Sequence, residues 1–204
     1  MKLTFLLLIL LLWITVVGSR RVKATTKRPT KLETVKPEKP KNATCEPGYM
    51  TFKRPQGDWC VQFFSAHGEI DQPTAEAKCK SMGATLTGLQ NDEEARKLAD
   101  SANSFLVQAI WIPSVMWVGG KRNTSCTTKK SCSVKDTFHW TDNFTTGEFP
   151  WASEEPNEHY SSETGFEGCV QLYVDPWGTT TPHGKLNDIH CNAPSPMYGC
   201  GKRP

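Results

Sequence analysis

Trp151-Ala152-Ser153-Glu154-Glu155-Pro156-Asn157 sets a carboxylate and an amide on either side of a proline, in a stretch with no helical period. If the Glu155-Pro156 bond is cis, both flanking side chains can face one point in space. Groups of the same chemistry lie downstream: Glu167 stands two residues before Cys169, and Asn187-Asp188 ends three residues before Cys191. A Cys169–Cys191 bridge would bring the three segments together. Glu155, Asn157, Glu167, Asn187 and Asp188 then form a hard, anionic, oxygen-only set. It suits calcium, which takes about six to eight oxygens, and has no soft ligand for zinc or copper. Acids and amides on loops are ordinarily solvated surface, so the set gains meaning only from its surroundings.

The chain has 204 residues, 37% of them apolar, and seven tryptophans, enough for one packed domain with appendages. Lys2 precedes an apolar run from Phe5 to Ile14 and then the small residues Val17, Gly18 and Ser19. This reads as a secretory signal over residues 1–19, cleaved to give a secreted, extracellular protein. A membrane anchor is the alternative, but a spanning helix wants about 20 apolar residues. Arg20, Arg21 and Lys23 also lie on the wrong flank for an anchor with its N-terminus inside. No other segment reads as a membrane span.

All eight cysteines, Cys45, Cys60, Cys79, Cys126, Cys132, Cys169, Cys191 and Cys200, follow the signal. An even count in an exported chain implies a closed disulfide framework, for which composition leaves about 105 pairings open. Paired CxxC knuckles for zinc are missing. The net charge of +3 hides an asymmetry, because nine of the 24 basic side chains and only two of the 21 acidic ones lie between Arg20 and Lys41. The rest of the chain is therefore acidic, and no nucleic-acid partner is expected. Residues 20–44, rich in Thr, Lys and Pro, cannot bury enough surface to fold and read as a spacer, although such a tail could also touch acidic glycans or membranes. Sequons for N-glycosylation stand at Asn42, Asn123 and Asn143.

From Cys45 onward, short strand-like runs such as Trp59-Cys60-Val61-Gln62-Phe63-Phe64 alternate with Gly, Pro and Asp turn signals. A first helix is predicted from about Pro73 to Met82, with Asp71 near its start and Gly83 as its stop. A second begins at an Asn91 cap with Glu94 three residues on, a capping-box arrangement, and carries Leu98, Ala102 and Phe105 on one face. Two helices followed by strands and long loops make an α+β domain.

Trp117-Val118-Gly119-Gly120, Phe138-His139-Trp140-Thr141-Asp142, Glu155-Pro156-Asn157 and Leu186-Asn187-Asp188 occur in this order among suitably spaced cysteines. Together they resemble the C-type lectin-like domain, in its mannose-type calcium-binding branch, over nearly all of Cys45 to Cys200, within a domain expected over residues 45–204. The resemblance implies the C-type lectin fold, two helices with antiparallel sheets and long calcium-binding loops. It also implies the pairs Cys45–Cys60, Cys79–Cys200 and Cys169–Cys191, leaving Cys126 with Cys132. It further implies that Glu155, Asn157, Glu167, Asn187 and Asp188 hold calcium and bind sugar, two neighbouring hydroxyls joining the ion. The Glu-Pro-Asn order implies equatorial 3- and 4-hydroxyls, as in mannose, N-acetylglucosamine or fucose. The expected partners are mannose-type glycans on cell surfaces, microbes or glycoproteins.

Leu186 stands where the family usually has Trp, and it keeps that position apolar. The loop 121–130 carries Lys, Arg, Asn, Thr and Ser where some relatives place acids for an auxiliary calcium, so one principal ion is expected. Catalysis is not expected, because the five histidines show no motif spacing and no nucleophile elbow is present. The rival to sugar binding is a lectin-like domain that has turned to protein or ice-like ligands. Trp59, Phe64, Trp117 and Trp140 read as core, whereas Trp177, in a loop, is left open for ligand contact.

Overall fold

The computed structural model describes residues 43–102, 105–106, 113–178 and 181–204. The expected signal at 1–19, nearly all of the linker at 20–44, and Asn42 lie outside the described residues. Among the described residues, no helix is long and apolar enough to cross a membrane.

The strands are β1 (Met50–Arg54), β2 (Gly57–Ile70), β3 (Thr85–Leu86), β4 (Ser114–Arg122), β5 (Phe138–Trp140), β6 (Tyr160–Ser161), β7 (Gly165–Phe166), β8 (Cys169–Val174), β9 (Leu186–Ile189) and β10 (Ser195–Lys202). Among the described residues the helices include α1 (Gln72–Ser81), α2 (Asp92–Ser101) and the single turn α3 (Val134–Thr137), and residues 105–106 are also helical. One sheet runs β1-β2-β10-β4-β8-β9, with β3 on β10 and β5 on β4, while β6 and β7 form a separate hairpin. β10 pairs with β4 in parallel and with β2 antiparallel, so the C-terminal strand closes the fold against the N-terminal hairpin.

Central strands buried on both faces read as continuous apolar runs, and β4 shows why. Met116 and Val118 join the cluster that takes in Leu98 and Ala99 of α2, while Trp117 points the other way, into the cluster holding Ala75 and Cys79 of α1. The two glycines that follow permit close approach. A Cβ at Gly119 would lie 2.4 Å from the Leu86 carbonyl oxygen, and one at Gly120 would lie 2.5 Å from the Val170 side chain. The freed space is used: Gly119 N–H donates to the Thr87 carbonyl, and its own carbonyl accepts from Thr141 N–H, both at 2.8 Å.

Helix α1 begins one residue before its expected start, capped by Asp71, whose carboxylate accepts from Thr74 N–H at 2.9 Å. Asn91 caps α2 in the same way, through Glu94 N–H. Two expectations for α2 need correction. The helix ends at Ser101, with Ala102 as its C-cap, so Phe105 packs against the core from beyond it. The Glu94 carboxylate does not complete a capping box. It accepts from Gln90 N–H and from the Arg54 guanidinium, because a buried arginine is a stronger donor than the helix's own terminus. The strand-like run at 59–64 is the middle of a strand of 14 residues, and α3 was not foreseen.

Four disulfides join Cys45 to Cys60, Cys79 to Cys200, Cys126 to Cys132 and Cys169 to Cys191. Trp59, Trp117 and Trp140 are buried in the core, and Phe64 stacks on Tyr198. Trp177 is partly buried and packs against the core.

Candidate functional site

An aromatic stack carries the chain from the core to the Glu-Pro-Asn segment. Trp140 stacks on Phe149 with centroids 3.9 Å apart, Phe149 stacks on Trp151, and Phe138 meets Trp151 edge-on. Trp151 then bridges to Leu186. Ala152 N–H donates to the Leu186 carbonyl at 2.9 Å, and Leu186 N–H donates to the Pro150 carbonyl at 3.0 Å. Leu186 is fully buried beneath this junction, the apolar support expected of it. The backbone pairing lays residues 150–152 against the start of β9, and the Glu155-Pro156 bond that follows is cis.

The five candidate residues are placed as follows. Glu155 Oε2 and Asp188 Oδ1 both accept from the single backbone N–H of Asn157, at 2.8 and 2.9 Å. Asp188 Oδ2 accepts from Glu158 N–H at 2.9 Å, and Asp188 itself is fully buried. Glu167, also buried, accepts from His159 N–H at 3.2 Å and sits two residues before β8, where the Cys169–Cys191 bridge ties that strand to the end of β9. Asn157 is exposed, and Asn187 stands half-buried beside Asp188 on β9, in register with Gln171. Glu155, Glu167 and Asp188 thus form a carboxylate cluster, Asn157 serves two of them through its backbone, and Asn187 adjoins them through the strand.

The cluster is electrostatically crowded. Burial, reinforced by the Asp188 charge, pushes the Glu167 carboxyl up to about 6. Burial pushes Asp188 up to about 7, helped by its contact with the Glu155 carboxyl and opposed by the N–H groups of Glu158 and Asn157. The Tyr173 hydroxyl is raised by burial and then by the charges of Glu155, Glu167 and Asp188 in turn. Two buried acids held upward, with the Glu155 carboxyl against one of them, make a site deficient in positive charge.

Among the described residues, no three His, Cys, Asp or Glu side chains are gathered closely enough to hold a metal by themselves. A hard cation here needs amide oxygens as well. The donors fit that requirement, since each carboxylate oxygen engaged by one N–H keeps a second lone pair, and two asparagines adjoin. A separate trough of about 570 Å³, lined by Lys135, Phe138, Trp140, Phe149 and Trp151 among others, contains none of the five.

A pH dependence follows. In the metal-free fold Glu167 and Asp188 sit above their unfolded values of about 4, so between about pH 4 and 7 the native state binds more protons than the unfolded one. Their contribution to stability is greatest below that window and is lost as pH rises through about 7. In EDTA, a thermal melt at pH 5 is expected to lie a few degrees above one at pH 8, other groups being equal, at about 2–4 °C per kcal/mol. Saturating calcium, which favours the ionised forms, should reverse the order.

Glu158, Arg122 and Tyr173 were not foreseen. Glu158 is buried and ion-paired to Arg122 at 2.7 Å. Its place directly after Asn157, in a run already carrying Glu154 and Glu155, was the available signal. The histidines have mixed roles: His183 bridges Asp100 and the Asp175 N–H, His190 meets Thr164, and His159 is exposed beside Glu167.

The family of C-type lectin domain-containing proteins 141/158 matches residues 51–200. C-type lectin domain-containing protein 158 of Caenorhabditis elegans is 30% identical over 165 residues, covering 72% of this chain and 77% of that protein. Among solved structures, the carbohydrate-recognition domain of cow CD23, crystallised in the presence of a GlcNAc2Man3 oligosaccharide, superposes with TM-score 0.51 at 21% identity, covering 79% of this chain and 97% of that one. A Ca2+-dependent type II antifreeze protein in its Ca2+-free form gives TM-score 0.51 at 19% identity, covering 78% and 99%. At these identities the structures speak for the fold. With the family match spanning most of its length, this chain belongs to the C-type lectin domain-containing proteins, a family generally of binding proteins and not enzymes, typically extracellular.

Proposed function

We propose that this chain is a secreted, calcium-dependent carbohydrate-binding protein, without catalytic activity, whose principal calcium is held by Glu155, Asn157, Glu167, Asn187 and Asp188. The observation that carries the reading is the convergence of the Glu155 and Asp188 carboxylates on one backbone N–H. Two acids in that position, one of them close enough to help raise Glu167, need a cation or protons. When bound, calcium would supply the missing charge and coordination positions open to two neighbouring sugar hydroxyls. Each hydroxyl would donate to Glu155 or Glu167 and accept from the amide of Asn157 or Asn187. A site so small gives selectivity with weak affinity per sugar.

The acid-before-amide order favours equatorial 3- and 4-hydroxyls, as in mannose, N-acetylglucosamine or fucose, on glycans of cells, microbes or glycoproteins. In this reading residues 1–19 are a cleaved signal, 20–44 a linker and 45–204 the binding domain, with Asn42, Asn123 and Asn143 as glycan acceptors.

The test is a glycan array probed with calcium and again with EDTA, using wild type and the double variant Glu155→Gln, Asn157→Asp. Wild type should bind mannose-type glycans only with calcium, and the variant should shift toward galactose. Binding that survives EDTA would favour a protein or other non-sugar ligand, a reading that the shared fold of the antifreeze protein keeps open. An unchanged sugar order in the variant would count against the residue assignment.

A further inference from the structure

Arg122 ends β4 in a loop that composition marks as solvated, yet its side chain is only 8% exposed and that of its partner Glu158 only 7%. The guanidinium is held through Nε and Nη2, while Nη1 is buried without a hydrogen-bond partner. Nη2 donates to Glu158 Oε2 at 2.7 Å and to the Thr128 carbonyl at 3.2 Å, while Nε donates to the Cys126 carbonyl at 3.0 Å. The Phe166 ring lies 4.7 Å from its central carbon. Lys130 N–H adds a further bond to Glu158 Oε1 at 3.2 Å. Two carbonyls and a carboxylate converging on one point form the surroundings that a bound cation would otherwise require, and a side chain already fills them.

The clamp reaches the carboxylate cluster by two backbone routes. Glu158 N–H is one of the two donors that fix the Asp188 carboxylate. Arg122's own N–H donates to the Gly168 carbonyl at 3.0 Å, directly beside Glu167. Arg122 therefore anchors, through its side chain, the segment whose N–H groups hold Asp188 and, through its backbone, the segment that carries Glu167.

We propose that Arg122 is a positioning residue for the calcium centre, an internal cation whose buried pair with Glu158 holds the segment after Asn157 so that Asp188 is kept in a ligand pose. This rests on the calcium reading above. It goes beyond that reading in making the ion's affinity depend on a residue that touches neither ion nor sugar. The guanidinium also supplies the counter-charge that the buried Glu158 carboxylate would otherwise draw from solution.

The test is calorimetric titration of calcium into the oxidised full-length protein, as wild type, Arg122→Gln, Arg122→Lys and the double variant Arg122→Gln, Glu158→Gln, with melting curves in EDTA. Arg122→Gln should bind calcium about tenfold or more weakly, the usual scale for outer-shell partners of a metal site. Arg122→Lys keeps the charge but not the fork and should recover about threefold. The double variant leaves no unpaired buried charge, so it should fold even where the single variant does not, and still bind about tenfold more weakly. Wild-type calcium affinity in a folded Arg122→Gln, or in the double variant, overturns the proposal. Wild type that binds no calcium fails the parent reading instead, and its own trace tells the two cases apart.

Discussion

Asp188→Asn is expected to lower calcium affinity by at least about 100-fold, beyond the 10–100-fold usual for outer-shell partners, because a proposed ligand itself is changed. Both Asp188 oxygens accept from backbone N–H groups, Asn157 at 2.9 Å and Glu158 at 2.9 Å. An amide cannot reproduce that. Its NH2 group would face an N–H, leaving one donor without a partner, and the ion would lose a full negative charge from a buried position. Mannose binding at millimolar calcium should disappear with it. Glu163→Gln, an exposed carboxylate in the β6–β7 hairpin, is the matched control and should bind as wild type. Equal calcium affinity in Asp188→Asn and wild type would show that the ion, if bound, sits elsewhere.

Arg54→Met should destabilise the fold by about 3–5 kcal/mol, the scale for breaking a buried ion pair by removing one partner. The Arg54 side chain is fully buried, and that of Glu94 is 8% exposed. Their forked pair uses Nε to Oε1 at 2.9 Å and Nη2 to Oε2 at 2.6 Å. The same guanidinium donates to Thr145 Oγ1 and to the Gly88 carbonyl, and it lies over the rings of Trp59 and Phe144. It thus joins β1, the start of α2 and the 142–147 segment, which are distant in sequence. Methionine fills the volume but strands the Glu94 carboxylate. Chemical denaturation of the oxidised protein should register the loss, and Glu94→Leu added to Arg54→Met should recover a large part of it. A cost below about 1 kcal/mol would mean the pair is better hydrated than its burial implies.

Features that depend on local chemistry were legible in the sequence. Asp71 and Asn91 announce helix starts, because a short acceptor side chain before an apolar period satisfies N–H groups that the helix cannot. Phe138-His139-Trp140 shows buried, exposed, buried alternation, as a half-covered strand should. The Glu-Pro-Asn segment could be placed beside Asn187-Asp188 only on the condition that Cys169 pairs with Cys191, a pairing that the resemblance implies, and the structure adds the bridge between Trp151 and Leu186.

What escaped the sequence is what long-range burial decides. Glu94, spaced as a capping-box acid, turns instead to an arginine 40 residues away. Arg122, in a run of Lys, Asn, Thr and Ser, reads as solvated and is buried because Glu158, 36 residues on, folds against it. Neither partner can be named from spacing alone, since the choice depends on which loops the sheet brings together.

The most direct test of the calcium and sugar assignment is a crystal structure of the oxidised domain grown with calcium and a mannose-type disaccharide. One calcium is expected with oxygens of Glu155, Asn157, Glu167, Asn187 and Asp188 at about 2.3–2.6 Å, and with two neighbouring sugar hydroxyls completing its shell. A sugar bound away from these residues, or these residues without an ion at saturating calcium, would contradict it.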